Sequence, residues 1–308
     1  KRKIRELSYN FDTDGYVAPD LTILNDIVTK SGITEMSYQQ EPDSILWCVR
    51  DDGILAGLTY QRSENVIAWH RHKLGGTFGA GASATGYGVV ESAASISGTL
   101  TEDEFYVIVK RTINGATKRY VEVFANFDFD ENDATDFKFL DSHLTYDGSA
   151  VTTLSGLAHL EGQTVSILAD GSTHADKVVS SGQISLDRST SKAVVGLAYD
   201  SVLQTMRIEG GAAEGTAQGK TKRISKVVLR LFETVGVKVG PSLTSLETVP
   251  FRTTSSDLSA PVDTLLAGDK EVEFRDDYNT DGFIFIKQDQ PLPLSVLAIY
   301  PTVVTSDG

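Results

Sequence analysis

Residues 104–124 read EFYVIVKRTINGATKRYVEVF. The stretch alternates, so Val107 and Val109 fall on one side of an extended chain and Tyr106, Ile108 and Lys110 on the other. Asn114-Gly115 stands between two β-rich runs, the strongest short-range signal for a tight hairpin turn. Strands are predicted over Glu104–Thr112 and Lys118–Phe124, paired antiparallel. This hairpin sets the expectation for the chain: short strands, tight turns and a period of two.

The same pattern extends outward. Ser44–Val49, Ile54–Gln61 and Asn65–His72 read as three strands, with Asp51-Asp52-Gly53 as a turn. Together they form a meander with the form of one blade of a radial array. Trp47 and Trp69 lie inside two of these runs and are expected to be buried in neighbouring strands. Gly75–Gly81 is a loop and Val89–Ile96 a further strand. An acidic boundary loop runs from Asn126 to Asp141. Short strands follow around Thr164–Leu168, Val178–Val179, Gln183–Leu186 and Ala193–Leu197, with turns at Asp170-Gly171 and Ser181-Gly182. Gly210–Gly219 reads as a linker or hairpin tip, Ile224–Glu233 as a long strand, and Pro241–Ala267 as weakly structured. Val272–Phe274, Gly282–Lys287 and Leu294–Ile299 are the last strands. One helix is predicted near residues 20–30, opened by Pro19 or Asp20 and closed by Gly32, with Leu21, Leu24, Ile27 and Val28 on one face. The expected fold is mainly β. Residues 1–142 form a partial β-propeller-like meander region with the N-terminal helix, 143–212 a small β domain and 213–308 a C-terminal β region, with one or two small β-barrel or sandwich domains beyond the meander.

Composition narrows the function classes. The 308 residues carry 28 Lys plus Arg against 42 Asp plus Glu, a net charge of −14. Neutralising phosphates takes Lys and Arg, so a sequence-specific DNA reader is not expected, whereas an acidic wall that DNA slides past is compatible. The single cysteine, Cys48, cannot form an internal disulfide and is expected to be a small buried hydrophobe within Ile45–Val49. No stretch reaches the roughly 18 apolar residues of a membrane span. Lys1-Arg2-Lys3 is not followed by the apolar run of a signal peptide. The chain does not begin with Met and reads as a piece of a longer polypeptide.

Four patterns approach known chemistry. Gly215-Thr-Ala-Gln-Gly219-Lys220-Thr221 resembles a phosphate-binding loop but has three residues between its glycines where four are needed. A strand rather than a helix is expected to follow it, so the N–H groups that would face a phosphate are absent. Asp128-Phe-Asp130-Glu-Asn132 opens like a calcium loop, but Asp133 stands at the glycine position and Phe139 at that of the bidentate glutamate. That excludes an EF-hand and leaves open a looser site among Asp128, Asp130, Glu131 and Asp133. His70 and His72 share one face of a strand at a spacing that suits zinc, with no third ligand nearby in sequence; His143, His159 and His174 are scattered, and the alternative is that Trp69 packs inward while His70 and His72 line a polar face. With 42 acids a glycosidase-like carboxylate pair always exists, but none stands out. No catalytic residue, cofactor or metal ligand is therefore assigned, and the chain is not expected to be an enzyme.

Three blocks resemble the tail nozzle protein (tail tubular protein B) family of short-tailed bacteriophages and prophages, in its C-terminal part. The first is Gln40-Glu41-Pro42-Asp43-Ser44-Ile45-Leu46-Trp47, Asp52-Gly53, Leu58-Thr59-Tyr60 and Val66-Ile67-Ala68-Trp69-His70. The second is Val109-Lys110-Arg111-Thr112-Ile113-Asn114-Gly115 with Arg119-Tyr120-Val121-Glu122. The third is Gly156-Leu157-Ala158-His159-Leu160-Glu161-Gly162, Ala169-Asp170-Gly171 and Val195-Gly196-Leu197-Ala198-Tyr199. The resemblance spans most of residues 16–235 and weakens beyond. It implies a propeller-containing subunit of a sixfold ring, the distal conduit through which DNA leaves a phage particle. Further blades would precede Lys1, and no catalytic residue is carried over. Homo-oligomeric rings, other tail proteins and passing DNA are the implied partners. The virion tail is the implied location, after synthesis in the bacterial cytoplasm. On that reading the Asp128–Asp136 loop and Asp276, Asp277 and Asp281 are candidates for an acidic inner or lower rim. The competing reading is a carbohydrate-binding or host-receptor module of a virion.

Overall fold

A computed structural model describes residues 1–98, 102–125, 134–209, 216–251 and 265–306. The fold is 59% strand and 4% helix, so a mainly-β class is established. Among the described residues no sheet closes into a barrel, although barrel closure was one expectation for residues beyond 142. The chain divides into two compact units, Lys1–Asn126 with His159–Gln163, and Phe127–Ala158 with Thr164–Gly308.

The first unit begins with a two-stranded hairpin, β1 (Ser8–Asn10) and β2 (Gly15–Val17). A four-stranded antiparallel meander follows in sequence order: β3 (Ile33–Gln39), β4 (Ile45–Arg50), β5 (Leu55–Gln61) and β6 (Val66–His72). Next comes a three-stranded meander, β7 (Val89–Ser97), β8 (Asp103–Ile113) and β9 (Ala116–Val123). The β8–β9 hairpin is the one read from residues 104–124. Ile113 pairs with Ala116, and Asn114 and Gly115 take φ of 47° and 72°, the double positive φ of a type I′ turn. Asp170-Gly171 (47°, 72°) and Ser181-Gly182 (55°, 69°) repeat that geometry in the second unit.

The two meanders pack face to face. Trp47, Val49 and Leu55 from the first sheet meet Val90, Ala93, Phe105, Val107 and Val109 from the second. The opposite face of the first sheet holds Cys48, Ala56, Leu46 and Trp69, against which Val28 packs. Cys48 is fully buried, and burial pushes its thiol up to about 12.

Two expectations fail here. Residues 20–30 form no helix. Thr22, Asn25, Ile27 and Thr29 carbonyls accept from Asn25, Val28, Lys30 and Gly32, giving separate turns in place of an i→i+4 ladder. Asp20 takes the Thr22 N–H and hydroxyl, and Asn25 and Asp26 are weak helix formers. Val28 turns inward, while Leu24 is 98% exposed. The tryptophans also differ from the reading. Trp47 is opposite Gly57 and Trp69 opposite Leu58, so β5 separates them and they lie on opposite faces of the sheet. Trp47 is buried, whereas Trp69 is partly buried and donates its indole N–H to the Leu21 carbonyl at 2.9 Å.

The second unit holds three sheets. One joins β10 (Asp141–Ser155), β11 (Thr164–Ala169), β12 (Ser172–Val178) and β13 (Gln183–Leu197) in the order β10-β13-β11-β12. The others use β14 (Ser201–Gln204), β15 (Thr221–Thr234), β16 (Val237–Ser242), β17 (Ser245–Val249), β18 (Leu266–Glu273), β19 (Phe285–Gln288) and β20 (Ser295–Ser306). Their orders are β14-β19-β16-β17 and β18-β15-β20. Ile224, Val227, Leu229 and Leu231 of β15 pack against Val237, Val239, Val249 and Ile286 of the four-stranded sheet.

Candidate functional site

The glycine-rich near-miss motif leads into a strand. Gly219 sits in a turn with φ of 82°, and Thr221 opens strand β15, so no helix N-terminus follows the glycine-rich segment. The buried cation next to it is Lys222, fully enclosed, with Nζ donating to the Ile208 carbonyl at 3.0 Å. Residues 126–133, which hold Asp128, Asp130, Glu131 and Asp133, lie outside the described residues. Asp136 faces the Lys192 ammonium at 3.4 Å. Asp276 is buried and accepts the Asn279 amide at 3.0 and 3.2 Å, and burial raises its pKa above the usual carboxylate value. Asp281 pairs with Arg207 at 2.9 Å. Asp277 is exposed. Of the proposed rim acids, Asp276 and Asp281 thus do not present free charge. Among the described residues no group of three His, Cys, Asp or Glu is placed to hold a metal ion.

Two open clefts lie in the second unit. One of about 590 Å³ is lined by Arg223, Lys226, Glu271, Glu273, Asp276 and Asp277. The other, about 420 Å³, brings Ser166, His174 and Asp176 together. Ser166 donates to Asp176 at 2.7 Å, not to the histidine. The His174 Nδ1–H donates to the Ala175 carbonyl at 2.7 Å, and Nε2 accepts the Asp187 N–H at 3.0 Å. Both ring nitrogens have backbone partners, Nε2 also lies 3.6 Å from an Asp187 carboxylate oxygen, and neither nitrogen takes the Ser166 hydroxyl.

In the first unit, His70 and His72 share the inward face of β6, as their spacing requires. His70 Nδ1 and His72 Nε2 are 2.7 Å apart, and Thr59 Oγ1 is 3.3 Å from His70 Nε2. Their neighbours are aromatic: Trp47 is 5.7 and 5.2 Å from the two rings, and Phe124 is 6.4 Å from His72. Among the described residues no third His, Cys, Asp or Glu joins the pair in a group that could hold a metal ion. The alternative of a polar histidine face fails: the histidines share the inter-sheet face with Trp47, while Trp69 lies partly buried on the other face.

What the first unit does present is an apolar sheet face. On the outer side of β7–β9, Ser92, Ile108 and Val121 form one row and Ala94, Tyr106 and Val123 the next, with Ile96 beyond. Ile96, Val121 and Val123 are 55%, 71% and 51% exposed. Isolated exposed aliphatics are ordinary, whereas these lie side by side in adjacent cross-strand rows. One edge is rimmed by charge. Glu91 accepts from Arg119 at 2.6 Å and meets Lys110 at 2.7 Å, and these bonds hold its carboxyl at about 2. An apolar centre with a polar rim is the usual anatomy of a protein–protein interface. The alternation of residues 104–124 put Tyr106 and Ile108 on this face, together with Glu104 and Lys110.

A scan against protein-family models and a search of curated proteins both return no match. Among the described residues no helix is long and apolar enough to cross a membrane.

Proposed function

We propose that the chain is a structural subunit of a phage tail of the nozzle type, which self-associates into a ring serving as the distal conduit for DNA. The observation that carries this reading is the exposed apolar face of β7–β9 with its charged rim, a surface built for contact. Two further features support it. The β3–β6 meander, with strands in sequence order and a second meander stacked on it, is the local arrangement a propeller uses. The net charge of −14 keeps a duplex off the protein surface over about 8 Å at physiological salt. Function on this reading resides in shape and association, without a reaction.

Light-scattering mass on a sizing column, with negative-stain images of the full chain, tests the proposal. A ring or a defined oligomer supports it, and a monomer at tens of micromolar overturns it.

One observation favours the second reading, a glycan-binding module. The β1–β2 hairpin exposes Tyr9, Phe11 and Tyr16, packed edge to face at 5.6–5.7 Å, beside Asp12 and Asp14. Exposed rings flanked by acceptors suit a sugar. A monomer that is retained on host glycans, and released when Phe11 and Tyr16 are replaced by Ala, would favour this reading over the ring.

A further inference from the structure

The two meanders of the first unit meet along a seam, and an imidazole pair sits in it. In cross-strand rows, His70 lies opposite Gly57 and then Trp47, and His72 lies opposite Leu55 and then Val49. Gly57 makes the placement possible, because a Cβ there would overlap the His70 ring. Phe105 stacks on Trp47 from the second sheet, and Phe124 approaches both Trp47 and His72.

We infer that the His70–His72 pair is an acid-sensitive latch on this seam, holding at most one proton while the sheets are packed and opening the seam when a second arrives. With both rings neutral, the 2.7 Å contact is one N–H donating to one lone pair. A first proton is tolerated, since an imidazolium can donate to its neutral partner and the neighbouring rings attract a cation. A second proton puts a donor against a donor and two like charges on rings whose centroids are 4.9 Å apart.

The surroundings offer little compensation. On β3, Glu35 shares the His72 row but lies beyond Val49 and Leu55, and it accepts from Ser92 at 3.1 Å. On β8 and β9, Arg111 and Glu122 neutralise each other. β4 and β5 contribute Trp47, Gly57 and the Thr59 hydroxyl. Among the described residues neither histidine has a carboxylate partner.

Burial lowers the pKa of His70, and burial followed by the charge of His70 lowers that of His72 to about 4. The folded values lie below the unfolded value of about 6.5. The stability they contribute is therefore fully present above that pH and lost as pH falls toward the folded values.

The test is a proton-NMR titration of the histidine Cε1–H signals in the full chain, paired with amide hydrogen exchange from about pH 7 to about pH 4. At least one signal of the pair is expected to titrate well below the other histidines. Amides of β5–β6 and β8–β9 are expected to lose protection over the same interval. In the His72→Phe variant, which keeps a ring in the seam, the loss should move down by about one pH unit or more. If both signals titrate near 6.5, or the seam keeps its protection after both have titrated, the latch is refuted. A His72→Phe variant that opens at the parental pH refutes it equally. Should that variant not fold, the parental titration alone decides.

Discussion

Trp47 and Phe105 stack with ring centroids 4.6 Å apart and planes 15° from parallel, one from each meander. The Trp47 indole N–H is satisfied by Gln39 Oε1 at 2.9 Å, so the ring is buried at no polar cost. Trp47→Ala should destabilise the first unit by about 3–5 kcal/mol in urea unfolding. Trp69→Ala should cost less, because that ring is only partly buried. Equal losses would show that the two rings share the load, contrary to their burial.

Arg111 is fully buried, donates to the Gly75 carbonyl at 2.7 Å, and binds Glu122 through both terminal nitrogens. Removing one partner leaves an uncompensated buried charge. Glu122→Leu should therefore cost about 3–5 kcal/mol, and Arg111→Met combined with Glu122→Leu should recover most of it. A double-mutant cycle measures this directly. Additive losses would mean the two groups act independently.

At Gly115 the φ is 72° and a Cβ would meet nothing within 4 Å. Gly115→Val thus isolates the backbone cost of the type I′ turn, expected at about 1–2 kcal/mol. A variant as stable as the parent would mean that the turn is remodelled.

Much of this hairpin was legible because the chemistry is local. Two φ-permissive residues between alternating runs define both the turn and the register, and the same holds at Asp170-Gly171. What period cannot give is strand order. Trp47 and Trp69 each sit in a clear strand, but antiparallel pairing through β5 puts them on opposite faces. The Leu21, Leu24, Ile27 and Val28 spacing mimics a helix because a run of turns can bury one member of such a stripe as readily as a helix can. Strand β10 was missed because most of it is exposed and polar, with no alternation to read. Arg111, read only as part of a strand, proved to be a core residue whose partner lies eleven positions on.

The outer face of β7–β9 is tested by charge. Val121→Asp with Val123→Asp should reduce the assembly mass on a sizing column while changing unfolding free energy by no more than about 0.5 kcal/mol, the usual range for surface sites. Undiminished assembly would remove this face from the subunit contact.

Calorimetry with calcium or ATP should detect no binding tighter than about 10 μM, roughly −7 kcal/mol. Tighter binding would require that the glycine-rich or acidic segment does what its spacing argues against.

The pairing map also orders the events of folding. Every sheet of the first unit joins strands that follow one another in the chain, so each can close as soon as its last strand is synthesised. The two C-terminal sheets of the second unit cannot do this. Its β15 is flanked by β18 and β20, and β14 pairs with β19, so these sheets stay open until residues 285–306 arrive. During that interval the edges of β15 have unpaired backbone and an apolar stripe of Ile224, Val227, Leu229 and Leu231. Synthesis therefore leaves a finished first unit beside an aggregation-prone second one, and the final strand releases the chain from that hazard.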